Sequence, residues 1–539
     1  MRYFKDSTLP TRLLDVGLAS GKIRLCITES LKEVVPYVTL SHCWGLGTLK
    51  AQTDGTAVSN PQLSRQTQKA AEFFMPVLRV ENLQDMQEDI PFNSLSRTFQ
   101  EAIFTTRRLG FRYLWIDSLC IIQDSREDWR KESVLMSTVY SGSQLNLAAT
   151  SARNGTEGYF RDRNPSLVQP CKVRARTTGH GEGLFDCVDL NIWKKGVEES
   201  PLGLRGWVLQ ERVLAPRTLH FGETQMFWEC NELCACETIP DKLDLEKYWS
   251  SSEPSSYVLR IKSIPNPPDI WFWEALVTKF SRSLLTQESD KLVAISGLGK
   301  FLQGFTQDEY FAGLWRHDIE KQLLWHVQSY NMSEESSRGS RRQGSYRPRD
   351  YRAPSWSWAS VEGNVARWDI DQRAKKLIKV TDVAIVRAEL DEFSQVRSGI
   401  LSIQSKKPLI SASIYQRSGP YWQLKFEGNG EPYHVSTLID VDVEVPNITS
   451  IVYLMAIYDN YIGWGQKKSL GFGYLQGLIL LREDQVKGQF RRLGIFMNLG
   501  YRTWKRFTTQ APVIMDESCY TQIEPSSTKG EAQYHLTIA

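Results

Sequence analysis

The chain has 539 residues, 41% of them hydrophobic and 24% charged, with a formal net charge of +3. That length exceeds the roughly 250–300 residues at which a single core stops growing, so two or three domains are expected and disorder of the whole chain is excluded. Near-neutral charge, with acidic and basic residues interspersed, speaks against a nucleic-acid partner, and no run of about 18 apolar residues is present to span a membrane.

In chain order, the opening MRYFKDSTLPTRLLD holds charges and a Pro where a secretory signal needs an apolar core. Nine cysteines without such a signal read as reduced thiols and point to the cytosol. Tyr37–Leu40 is a short strand candidate ending at Ser41, His42, Cys43, Trp44 and Gly45. Leu95 to Leu109 places Leu95, Phe99, Ala102, Ile103 and Leu109 on one helical face, and Gly110 supplies a stop. Tyr113 to Ile122 is an almost continuous apolar run, as in strands of parallel sheets. Asp124 or Ser125 caps a further helix carrying Trp129, Met136 and Tyr140, with Asp128 in its first turn. Gln144–Ala149 reads as a third strand.

This β-α-β-α-β order predicts an α/β, doubly wound core. Residues 151–200 read as an insertion, and a helix is expected over about 202–214, before Pro216. Residues 255–330 look mainly helical, with one helix over Tyr310–Trp325, and alternation such as Lys376–Ile385 suggests a β-rich end. The expected division is 1–240 for the core domain, 241–360 for a mainly helical extension and 361–539 for a β-rich region. A basic cluster at Arg338, Arg341 and Arg342 lies in a Ser- and Gly-rich stretch and reads as a solvated loop.

Three separated blocks carry a resemblance. Tyr37–Gly45 is an apolar strand ending in Ser-His-Cys-Trp-Gly. Tyr113–Asp124 runs on through Asp128, Trp129 and Met136–Tyr140. Arg205–Leu214 continues to Phe227–Cys230. In this order they resemble the fungal heterokaryon incompatibility (HET) domain, with companions at Asp290–Gly297, Gly313–Trp315 and Ala353–Ser360 and a fainter echo at Tyr474–Leu478. The resemblance implies a role in non-self recognition and programmed cell death, and it names no reaction.

HET domains have been compared with TIR domains, which are flavodoxin-like and in some cases cleave NAD with a Trp followed four positions later by a catalytic Glu. Trp207 and Glu211 have that spacing, and an i,i+4 pair shares one helical face. The resemblance thus implies Glu211 as the catalytic carboxylate, Trp207 shaping the pocket, and Ser41, His42, Trp44 and Asp117 contacting substrate. NAD would be a substrate and not a resident cofactor. One carboxylate suffices in principle, because cleavage builds an oxocarbenium-like cation and the nicotinamide leaving group is already cationic.

Blander readings stand beside these. Trp207 also fits a core aromatic, Glu211 an ion pair with Arg205 or Arg212, and Asp117 a turn cap. A thiol nucleophile at Cys43 or Cys120 is a second chemistry, with His42 better placed toward Cys120, because neighbours in extended chain point apart. Cys230, Cys234 and Cys236, with His220 upstream, lack paired Cys-x-x-Cys knuckles and read as a structural cluster, so no metal is assigned. No dinucleotide fingerprint or phosphate loop is present. Two rival functions stay open: a non-enzymatic module that signals by self-association or a protein partner, and a small-molecule enzyme of a biosynthetic pathway using the Ser41–Cys43 strand end.

Overall fold

The apolar runs near the amino terminus become short strands buried along their whole length: β1 (Arg12–Asp15), β3 (Tyr37–Ser41), β4 (Tyr113–Ile116) and β5 (Leu145–Ala148). The computed structural model describes residues 9–18, 21–45, 76–177, 181–189, 191–243, 270–328, 345–367, 370–371, 373–389, 391–418, 421–426, 436–440, 451–462, 472–483, 486–500, 517–524 and 532–539. Two compact units result, Met1–Pro267 with Ser283–Leu285, and Pro268–Arg282 with Thr286–Ala539.

In the first unit, β2 (Arg24–Ile27), β8 (Arg217–Phe221), β9 (Met226–Cys230) and β10 (Cys234–Cys236) complete an eight-stranded sheet in the order β10-β9-β8-β5-β3-β4-β1-β2. Its centre, β4-β3-β5-β8, is parallel. The outer strands on both sides pair antiparallel. Strands buried on both faces favour apolar residues at successive positions, so β4 appears in sequence as a continuous apolar run, whereas β3, β5 and β8 interleave buried polar residues.

Helices α1 (Leu83–Glu88), α2 (Arg97–Arg108), α3 (Asp117–Cys120), α4 (Arg126–Gly142) and α5 (Gly206–Leu214) fill the crossovers. Ser96 caps α2, and Gly110 leaves it at φ +80°, a left-handed conformation that favours Gly. Phe99, Ala102 and Ile103 are buried as the periodicity predicts, whereas Leu109 is 46% exposed. Leu109 is the residue that caps the helix, so it has left the apolar face's register. Ser125 caps α4 by accepting from the Asp128 amide at 3.2 Å.

The apolar run over Tyr113–Ile122 is not one strand. It ends at Ile116 and turns into α3, because the Asp117 carboxylate accepts from the Ser118 amide at 2.7 Å and takes the chain out of the ladder. Residues 151–200 hold a separate hairpin of β6 (Cys171–Thr177) and β7 (Gly181–Cys187).

The second unit contains helices Ile270–Phe280 and Val293–Thr306 and an eleven-stranded sheet that is antiparallel but for one pairing. The continuous helix expected over Tyr310–Trp325 is absent. Tyr310–Phe311 and Leu314–Trp315 form a hairpin, and only Ile319–Gln322 is helical. Ala312 and Gly313, both at positive φ, make the two-residue turn that a right-twisted hairpin prefers. The Gly313 carbonyl accepts from the indoles of Trp273 at 2.8 Å and Trp358 at 2.9 Å. A mixed α/β first unit and a β-rich carboxyl-terminal region are therefore observed. Arg338, Arg341 and Arg342 lie outside the described residues. Among the described residues no helix is long and apolar enough to cross a membrane.

Candidate functional site at the carboxyl ends of the parallel strands

From β3 the chain crosses to β4 on one side, and from β5 it crosses to β8 on the other. Neighbouring strands whose connections leave in opposite directions open a crevice at their carboxyl ends, the usual ligand position in open α/β sheets. Ser41 closes β3 there, in register with Ala148 of β5.

One face of these strands carries polar groups where a core would be apolar. Thr39, Ser41, Asn146, Thr218 and His220 are all at most 3% exposed. Asn146 ties this layer together, with its amide 3.1 Å from Thr39 Oγ1 and 3.0 Å from Ser41 Oγ. Buried polar groups are costly unless hydrogen-bonded, so the paired Thr39, Ser41 and Asn146 side chains fix the register of β3 against β5.

α5 lowers Glu211 onto this layer. Glu211 is 5% exposed, with the Ser41 and Tyr140 hydroxyls beside its carboxyl. Burial pushes its pKa up to about 7, against the opposing pull of the Ser41 hydroxyl, Arg205 and the Tyr140 hydroxyl. A carboxyl there exchanges protons near neutral pH.

The rim is built by Asp117, which accepts the Trp44 indole N–H at 2.8 Å and lies 3.6 Å from His42 Nδ1. The His42 ring lies nearly parallel to Trp44 at 6.5 Å and meets Phe99 edge-on at 5.0 Å. Burial lowers the His42 pKa to about 4, although Asp117 opposes the shift, so the ring is neutral at pH 7. Its Nε2 is buried with no hydrogen-bond partner among the described residues. Arg205 donates to the His42 carbonyl, fixing the turn that follows β3.

Ser41, His42, Trp44, Asp117 and Glu211 thus converge on one strand end. Trp207 is half-buried, and its ring packs edge-to-face on Trp129 of α4 at 6.4 Å. Cys43 lies in an apolar cluster with Ala148, Leu202 and Val208, and burial pushes its thiol up to about 11. Burial likewise pushes Cys120 up to about 12. Both thiols are held protonated, the opposite of an activated nucleophile.

Arg212 is not the ion partner of Glu211. Its Nε donates to Glu229 at 2.6 Å, and Glu229 also meets His220 Nε2 at 3.2 Å. Between this second network and the Ser41–Asn146 layer lies a cavity of about 10 Å³, at the lower limit for one water molecule. Cys234 and Cys236 pack in an apolar cluster with Trp193 and Phe227. No set of three metal-ligating side chains occurs among the described residues.

Tyr140, Asn146 and Arg205 join the site without having been singled out as site residues from the sequence. Tyr140 sits at core spacing on α4 and reads as packing. Asn146 had a signal: an amide flanked by Leu145 and Leu147 in a strand buried at every position needs a polar partner.

No curated protein and no solved structure matches the chain. Residues 37–211 match the model of the family described as heterokaryon incompatibility protein (HET), a stretch that opens with β3 and closes on Glu211. The chain therefore carries a heterokaryon incompatibility (HET) domain over residues 37–211.

Proposed function

We propose that this HET-domain chain acts in fungal non-self recognition and cell death, in the cytosol, by cleaving the bond between nicotinamide and ribose in NAD. The observation that carries this reading is the buried Glu211 side chain, set beside the Ser41 and Tyr140 hydroxyls at the switch crevice, where burial brings its pKa near neutrality. The parallel order β4-β3-β5-β8 supports a flavodoxin/TIR-like core, since numbering those strands along the chain gives 2-1-3-4.

In this mechanism the C1′–N bond breaks and its electron pair stays on the nicotinamide nitrogen, neutralising it. The ribosyl cation that remains is stabilised by ionised Glu211. Arrival of the cationic nicotinamide ribosyl group beside Glu211 lowers its pKa and favours the carboxylate. Water then adds to the ribosyl carbon, its surplus proton passing to Glu211, and ADP-ribose forms. The cavity beneath Ser41 is water-sized, so the nucleotide lies over the strand ends, against Trp44, Asp117 and Arg205.

Incubation of the purified chain with NAD, followed by chromatographic separation, tests the reaction. Nicotinamide and ADP-ribose accumulating in equal amounts is the expected result. Intact NAD over a wide range of protein concentration, with the fold verified, would reject the reading in favour of a non-enzymatic module in which Glu211 only organises the strand ends.

A further inference from the structure

The hairpin of β6 and β7 carries two cysteines that nothing in the strand-end site uses. Cys171 and Cys187 are directly opposite each other in its antiparallel register, and both are exposed as free thiols. Opposed residues point to the same face, with Cβ atoms about 4.5–5.5 Å apart. A disulfide needs Cβ atoms about 3.5–4.5 Å apart and Cα atoms within about 4.4–6.8 Å, so small side-chain adjustments join the two without a register shift. On the opposite face the adjacent pair, Lys172 and Asp186, is bridged at 3.0 Å and holds the strands at this point.

The other seven cysteines differ in access. Cys43, Cys120, Cys234, Cys236 and Cys519 are buried, and Cys26 and Cys230 are partly covered. The hairpin itself is thinly supported. It forms a two-stranded sheet separate from the eight-stranded one, and Val173 and Leu184 are 40% and 64% exposed. A two-stranded hairpin is marginal in water, and a cross-link at its open end is the device that secures such an element.

We propose that Cys171 and Cys187 form a reversible disulfide site, oxidised by a low-molecular-weight disulfide such as oxidised glutathione. The Cys171 thiolate attacks one sulfur of that disulfide and expels one glutathione thiolate. The Cys187 thiolate then attacks Cys171 Sγ in the mixed disulfide and expels the second. Two protein thiols and one oxidised glutathione become one protein disulfide and two reduced glutathiones, the released protons passing to the glutathione thiolates. The site is independent of NAD cleavage, and its test does not involve that reaction.

The full chain would be equilibrated in glutathione buffers of graded ratio, acid-quenched, alkylated and peptide-mapped. The expected product is one cross-linked peptide joining Cys171 to Cys187, with the buried cysteines recovered as free thiols. In the Cys187→Ser variant, Cys171 should accumulate instead as the glutathione mixed disulfide, and Cys171→Ser should do the reverse. Hydrogen exchange of the hairpin amides should slow at least about tenfold on oxidation, because the cross-link restricts the open states through which those amides exchange. Independent glutathionylation of the two residues in the unaltered chain would overturn the proposal. So would two free thiols at the most oxidising ratio, or unchanged amide exchange in the cross-linked form.

Discussion

Replacing Glu211 by Gln should make the first unit more stable, and only at high pH. Glu211 is 5% exposed, and burial raises its pKa from 4.5 to about 7. A carboxyl whose folded pKa lies above its unfolded value favours folding below the unfolded pKa, and that contribution is lost as pH rises through the folded one. At about 1.4 kcal/mol per unit, the ionised carboxylate costs roughly 3 kcal/mol by about pH 8 and under about 1 kcal/mol at about pH 5. Gln keeps the shape, carries no charge and retains hydrogen-bonding groups for the Ser41 and Tyr140 hydroxyls. Urea titrations at those two pH values, read by hydrogen exchange of the α5 peptide, isolate the unit that holds the site. The variant should gain about 2–3 kcal/mol over the unaltered chain at the higher pH and little at the lower. Equal destabilisation at both would show that Glu211 is ionised in the fold throughout and that burial does not control its proton.

His42 behaves in the opposite sense. Its pKa is lowered from 6.5 to about 4, so its contribution is present above pH 6.5 and lost as pH falls toward 4; the stability advantage of the unaltered chain over His42→Gln should shrink by about 2–3 kcal/mol across that window in the same titrations. Tyr140→Phe removes a hydrogen bond that holds the Glu211 pKa down, so the acid limb of the pH–rate profile for nicotinamide release should move to higher pH. Arg212→Met leaves buried Glu229 without its 2.6 Å partner and should cost about 3–5 kcal/mol by chemical denaturation; adding Glu229→Gln should recover much of that loss.

The sheet was legible where burial imposes a simple pattern. Tyr37–Leu40, Tyr113–Ile116 and Leu145–Ala148 are buried at every position and mostly apolar in sequence, with Thr39 and Asn146 as the polar exceptions. Two departures came from local chemistry that overrides such a run. Asp117 turns the chain out of β4 with its own carboxylate, and Ala312-Gly313 bends a helix-like apolar pattern into a hairpin anchored by two indoles. The strand ends at Ser41 and Asp117 were visible as polar residues closing apolar runs. Which helix side chain meets them was less so. α5 supplies Glu211 from about 170 residues away along the chain, and Tyr140 reaches it from a position that periodicity assigns to packing. Arg205 and Arg212 were equivalent partners for Glu211 by spacing alone. The buried Glu229 on β9 decides the matter by taking Arg212, and Arg205 donates to the His42 carbonyl.

The central claim is that Glu211 acts on the ribosyl cation of NAD, and the rate of nicotinamide release by the unaltered chain beside Glu211→Gln tests it most directly. Loss of one electrostatic stabiliser in a buried site should lower the rate by at least about 100-fold while circular dichroism stays unchanged. Equal rates in the two proteins would place the chemistry elsewhere and contradict the assignment of Glu211.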